Sequence, residues 1–236
     1  MLGLLDRIGE SVTPPLCPLC GRELAVQGKS LCPLCEEALP HWPERRCRGC
    51  GGANDSFLEL CHDCQQVEGG RPWRIAVSGL PYYGNVREAV HSFKYRSKHY
   101  LLPFLAGQMA EEWRRQANEV SLDAVTYIPL HWSRYLLRGY NQAEMLAESL
   151  ARQLGIPCIR ALRRCRKTSQ QARLGLADRK ANMRNVFVPV NADSLQGTRL
   201  LLVDDVFTTG TTLGEATKTL LNAGAFEVSV ITAARD

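Results

Sequence analysis

The stretch Arg199-Leu-Leu-Leu-Val-Asp204-Asp205-Val-Phe-Thr208-Thr209-Gly210-Thr211-Thr212 limits what this chain can fold into more than any other. A run of four apolar residues, too short for a helix and β-branched at its end, stops at two carboxylates and a loop of small hydroxyl residues around one glycine. It reads as a buried strand that ends in a site. Beyond the loop, Leu213, Ala216, Leu220 and Leu221 recur at helical spacing, Ala223-Gly224-Ala225 closes that helix, and Val228-Ser-Val-Ile231 supplies a second strand. The product is a βαβ unit, so the fold class is α/β with a parallel sheet flanked by helices.

In such a unit the loop hydroxyls and backbone N–H groups lie at a helix N-terminus, where the positive end of the dipole holds phosphate. Two adjacent carboxylates just before it suit the neighbouring hydroxyls of a sugar, or a magnesium ion shared with them. Phosphate beside a diol points to a ribose 5-phosphate. The stretch resembles the 5-phosphoribosyl-1-pyrophosphate (PRPP) motif of the type I phosphoribosyltransferases. That resemblance implies that Asp204 and Asp205 are the catalytic carboxylates on the ribose hydroxyls, with magnesium, and that Thr208, Thr209, Gly210, Thr211 and Thr212 cradle the 5′-phosphate.

Cysteine divides the chain. Eight of the ten cysteines lie before residue 65 in four Cys-x-x-Cys pairs: Cys17 and Cys20, Cys32 and Cys35, Cys47 and Cys50, Cys61 and Cys64. Each turn offers two thiolates to one ion, so four turns make two tetrahedral zinc sites of structural type. Sequential pairing leaves two compact ribbons, and crossed pairing stays open. A piece so poor in large apolar residues needs such staples. Composition changes near Gly69-Gly70-Arg71-Pro72, which separates an expected double zinc ribbon (1–70) from an α/β domain (71–236). Charge changes there too: 6 Lys and Arg against 10 Asp and Glu in the first part, leaving 23 against 14 of the totals of 29 and 24 for the second. The acidic ribbon is unsuited to gripping a phosphate backbone and is expected to dock protein. No stretch approaches the ~20 apolar residues of a membrane span, and the start lacks a basic, then apolar, leader. The expected location is the cytoplasm, where thiols stay reduced and bind metal.

Within the second part, Ile75 to Leu80 reads as a strand, and Val86, Ala89, Val90 and Phe93 as the apolar side of a helix that ends in Lys94 and Tyr95, both marked as site candidates. Leu102, Leu105, Met109 and Trp113 share one face of a longer helix. The strand Asp123–Ile128 runs into Pro129 and a loop, Leu130 to Gln142, before a helix with Asn141 and Glu144 in capping-box spacing and a core face of Ala143, Leu146, Ala147, Leu150, Ala151 and Leu154. This loop lies at the carboxyl edge of the sheet, where open α/β sheets bind ligands. It carries Arg134 and Arg138, suited to bidentate phosphate binding, interleaved with Trp132, Tyr135 and Tyr140, on which bases can stack; the resemblance to the phosphoribosyltransferases implies that this loop contacts pyrophosphate.

The segment 160–184 holds nine basic residues, among them Arg163, Arg164, Arg166, Lys167 and Arg179, one acid, Asp178, and no aromatic residue. It is expected to form a mobile loop over the site, with more charge than one pyrophosphate requires; single-stranded DNA would use the excess. The four knuckles, Phe93-Lys94-Tyr95, Arg138-Gly-Tyr-Asn-Gln142, the Gln171, Arg179, Asn182 segment and the terminal motif together resemble the ComF family of competence-associated proteins. That resemblance implies PRPP with magnesium, DNA uptake and single-stranded DNA as partner. Two alternatives stay open: a nucleobase salvage transferase, favoured by the intact acidic pair, and a PRPP or nucleotide sensor with the ribbon as docking module.

Overall fold

A computed structural model of the chain describes residues 16–22, 24, 31–165 and 186–236. In chain order its elements are α1 (Pro33–Glu37) and α2 (His62–Gln65) within the ribbon, then β1 (Ala76–Pro81), α3 (Gly84–Tyr95), α4 (Leu102–Ala117), β2 (Ala124–Tyr127), α5 (Trp132–Arg138) and α6 (Gln142–Leu154). They are followed by β3 (Leu162–Arg164), β4 (Phe187–Pro189), β5 (Arg199–Phe207), α7 (Thr211–Asn222) and β6 (Glu227–Arg235). Four strands form one parallel sheet in the order β1-β6-β5-β2. Both faces are covered, and its strands are therefore continuous apolar runs without alternation: β6 is buried from Val228 to Ala234.

Helices α4 and α6 pack on each other and against one face of the sheet, while α7 packs against β5, β6 and the short strand β4. Periodicity accounts for this. Val86, Ala89, Val90 and Phe93 of α3, Leu105, Met109 and Trp113 of α4, and Leu146, Ala147 and Leu150 of α6 are all buried. Because the strands are parallel, their carboxyl ends share one edge. There β2 leads to α5 and α6 on one side and β5 to α7 on the other, which opens a crevice between adjacent strands.

Three elements differ from expectation. Strand β5 does not stop at the carboxylates but runs through them to Phe207, because β6 pairs with it that far: Asp204 is in register with Thr232 and Phe207 with Arg235. The expected loop after β2 contains the helix α5, and the expected loop 160–184 begins as a strand, Leu162–Arg164, paired antiparallel with Phe187–Pro189. The rest of that segment, with Gln171 and Asn182, lies outside the described residues. Among the described residues no helix is long and apolar enough to cross a membrane.

Candidate functional site

Neighbouring residues in a strand face opposite sides, so the two carboxylates at the end of β5 have different surroundings. Asp205 is buried and ion-paired to Lys94 of α3, with the ammonium 2.7 Å from Oδ2 and 2.9 Å from Oδ1. Asp204 accepts the backbone N–H of Asp205 at 2.8 Å. Burial, then the adjacent Asp205 carboxylate, push the Asp204 carboxyl up to about 7, with Lys94 and Arg164 opposing. Burial works against the Lys94 ammonium, but Asp205 and Asp204 outweigh it and hold the group above its ordinary value. The site therefore carries more negative charge than one lysine neutralises, and it is set to take up a proton or a cation near neutral pH.

The loop after β5 is shaped by Gly210. Its φ of +75° lies in the left-handed region, and a Cβ there would stand 2.7 Å from the Phe207 ring, 2.8 Å from Arg71 and 3.1 Å from Trp73. Thr209 and Thr211 hydroxyls bond at 2.9 Å, and the Arg71 guanidinium donates to the Thr209 carbonyl at 2.9 Å. Thr208 is exposed, with Thr209, Thr211 and Thr212 half-buried, and α7 opens at Thr211. The N-terminus of a 12-residue helix thus stands at the same sheet edge as Asp204 and Asp205, with its Thr211 N–H donating to the Thr209 hydroxyl at 3.4 Å.

Across the crevice, α5 holds the two expected arginines. Arg138 stacks over the Tyr95 ring at 4.7 Å and donates to Gln142 Oε1 at 3.4 Å. Arg134 lies near Arg164 of β3, whose guanidinium is held below its ordinary value by burial and then by Arg134, against the pull of Asp204. Arg134, Arg164 and Asp204 thus come within one another's fields. Trp132, Tyr135, Leu136 and Leu137 are exposed on α5. Tyr140, expected to lie open for base stacking, instead donates its hydroxyl to the Phe93 carbonyl at 2.9 Å and sets its ring against His99. It ties α3 to the start of α6. Arg163 is exposed on β3, while Arg166, Lys167 and Arg179 lie outside the described residues.

The eight cysteines gather as Cys17, Cys20, Cys32 and Cys35, and as Cys47, Cys50, Cys61 and Cys64, which is the sequential pairing. Sulfurs of Cys20 and Cys32 are 3.6 Å apart and those of Cys50 and Cys61 3.8 Å, against about 3.8 Å along a tetrahedral edge when Zn–S is about 2.3 Å. Both sets fit a structural zinc ion. The second set abuts the sheet: the Arg235 guanidinium of β6 lies within the field of Cys50, Cys61 and Cys64, and that of Arg71 within the field of Cys64. The Trp73 indole donates to the Gly49 carbonyl at 3.0 Å, and Ala76 N–H to the Arg48 carbonyl at 2.8 Å. Arg46 is buried and knits the ribbon to β1 and α4, donating to the Ser78 carbonyl at 3.0 Å and pairing with Glu112 at 3.1 Å. Sequence reasoning missed Arg71, Arg235 and Arg46. They sit in no motif, and only the fold brings them to the knuckles.

Comparison with known proteins matches residues 8–65 to a double zinc ribbon domain and residues 141–236 to a phosphoribosyl transferase domain. Competence protein F of Haemophilus influenzae is 30% identical over 91% of this chain and 94% of its own length. The chain belongs to the competence protein F family. Among its relatives in that family are the DNA utilization protein YhgH of Salmonella typhi, 32% identical over 92% of this chain and 95% of the relative, and the competence protein ComFC of Bacillus subtilis, 27% identical over 93% and 84%. Its transferase portion is the type I phosphoribosyltransferase fold, with the acidic pair and threonine loop at the carboxyl edge of the parallel sheet.

Proposed function

We propose that this protein binds PRPP with magnesium in the crevice between β2 and β5 and binds single-stranded DNA beside it, in the service of DNA uptake. The observation that carries the reading is the acidic pair at the end of β5, over-neutral in negative charge, beside the N-terminus of α7 and its threonine loop. Asp204 and Asp205 would hold the ribose hydroxyls and magnesium, Thr208 to Thr212 the 5′-phosphate, and Arg134 and Arg138 the pyrophosphate. Magnesium supplies charge to the leaving pyrophosphate. The chain's part is to exclude water, orient C1 and spread the leaving charge over Arg134, Arg138 and the loop N–H groups.

Single-stranded DNA fits the exposed Trp132 and Tyr135 beside Arg163 and Arg164, aromatic faces next to cations. The names of the relatives, competence and DNA utilization, favour this partner. The expected division into a ribbon (1–70) and a transferase domain (71–236), and the expected cytoplasmic site of action, belong to the same reading. The ribbon exposes Leu16, Phe57 and Leu58, which suits a protein partner.

A transferase reaction is the second reading, favoured by the complete set of acidic and threonine side chains at the crevice. Calorimetry with PRPP and magnesium tests the first, using Asp204→Asn plus Asp205→Asn as control. Pyrophosphate release across a nucleobase panel and single-stranded DNA tests the second. PRPP bound without release leaves a binding protein, and absence of PRPP binding overturns the site assignment. Binding to oligonucleotides that is indifferent to Arg163→Glu plus Arg164→Glu, or to salt, overturns the DNA assignment.

A further inference from the structure

A cavity of about 490 Å³ opens at the carboxyl end of β2, between α5, the first turn of α6 and β3. Its walls use neither Asp204, Asp205 nor the threonine loop. Trp132 and Tyr135 give it aromatic surface, and Arg160 and Arg163 give it positive charge; neither arginine is ion-paired among the described residues. Among the wall residues stands one carboxylate, Glu144, whose Oε1 accepts the Tyr127 hydroxyl at 2.5 Å. The capping-box spacing would have sent Glu144 back to the Asn141 backbone. The hydrogen bond to Tyr127 turns it into the cavity wall, and Asn141 caps the helix alone through Ala143 N–H at 3.1 Å.

The mixture selects the ligand. A bare anion satisfies the arginines but meets the carboxylate, and a basic peptide satisfies the carboxylate but meets the arginines. A nucleotide offers a phosphate to Arg160 and Arg163, a π-face to Trp132 or Tyr135, and base N–H groups to Glu144. An ionised carboxylate only accepts. Of the four bases guanine alone presents two adjacent donors, N1–H and the 2-amino group, with no acceptor between them. The cavity lies in the size range of small-ligand sites.

We propose that this cavity holds one unstacked guanine nucleotide of a single strand, with Glu144 reading its Watson–Crick edge. The inference rests on the DNA-binding reading and adds a base preference to it. The experiment uses the zinc-loaded full chain and fluorescence anisotropy with labelled dT15, the same strand with one central dG, and the same strand with one central deoxyinosine, which lacks the 2-amino group. One dG is expected to tighten binding about tenfold, the scale of one bidentate base contact, and inosine to lose most of that gain. Glu144→Gln is expected to bring the dG strand down to the level of dT15. A titration of GMP against IMP, followed by tryptophan fluorescence on the unaltered protein, repeats the comparison without a variant and is expected to favour GMP. Equal affinity for the dT, dG and inosine strands, equal affinity for GMP and IMP, or a preference that survives Glu144→Gln overturns the guanine pocket and leaves single-stranded binding standing. Failure of every strand to bind at 50 mM salt or so, where phosphate contacts are strong, overturns both.

Discussion

Replacing Lys94 by methionine isolates the electrostatics of the acidic pair. The methionine keeps most of the side chain's volume and removes the ammonium 2.7 Å from Asp205. At an effective dielectric constant of about 20 that contact is worth about 6 kcal/mol of gross Coulomb energy. Desolvation of both groups offsets much of it, and the protein escapes most of the remainder by binding a proton. The net cost is therefore set by pH. In the unaltered protein Asp204 titrates near 7, above its unfolded value, so the folded state holds an extra proton between about 4 and 7. Stability from this group is full below that window and falls as pH rises through it. Lys94 is one of the groups that hold Asp204 down, and its loss moves the folded titration up by about one to two units. The variant then keeps losing stability above pH 7, where the unaltered protein has stopped. Urea unfolding at pH 6 and pH 8.5 should give a destabilisation larger by about 1–2 kcal/mol at the higher pH. An equal effect at both values, or a smaller one at pH 8.5, would refute the argument and reduce Lys94 to a packing residue.

Gly210→Ala places a methyl group against Phe207, Arg71 and Trp73 at an unfavourable φ; it should cost about 2–3 kcal/mol and lower the melting temperature by roughly 4–10 °C, and an unchanged melting temperature would show that the loop relaxes freely. Arg71→Met removes the cation that lowers the Cys64 thiol and the donor to the Thr209 carbonyl; it should speed zinc loss to a chelator about tenfold and weaken PRPP binding in calorimetry, whereas Cys20→Ser in the first ribbon should leave PRPP binding intact. Arg46→Met strips the buried Gly51 and Ser78 carbonyls of a donor and Glu112 of a partner; a loss of about 3 kcal/mol in chemical unfolding is expected, and a loss under 1 kcal/mol would mean water replaces the guanidinium.

The elements that bury a periodic apolar face were legible in the sequence, because burial is what the period records. Thus α3, α4, α6 and α7 stand where Val86 to Phe93, Leu102 to Trp113, Ala143 to Leu154 and Leu213 to Leu221 placed them. Helix α5 was not legible for the same reason: it buries no residue, so Trp132 to Arg138 carries no period. The extension of β5 to Phe207 depends on pairing with Arg235, 28 residues away, which no local pattern encodes. At the site, Asp204, Asp205 and the threonine loop could be found because their spacing is itself the motif. Lys94 could only be marked, since its pairing with Asp205 spans 111 residues. Glu144 was assigned to helix capping, a local role that a hydrogen bond across 17 residues to Tyr127 displaces.

The close seating of the second knuckle on β1 bears on how such a chain can be cut and how it can evolve. Gly51 lies so near the Val77 and Ser78 backbone that a Cβ would approach Ser78 N to 2.8 Å, and Arg235 fills the space beside Gly52. A truncation at the glycine pair 69–70, where the composition invites a boundary, would strip Trp73 and the β1 backbone of their cover and take the thiolates away from Arg71 and Arg235. The shortest piece worth expressing for work on the transferase fold thus begins before Cys47. A lineage that discarded the second ribbon would have to rebuild the floor of its own threonine loop, whereas among the described residues the first ribbon has no such tie to Arg71 and is the freer of the two to diverge.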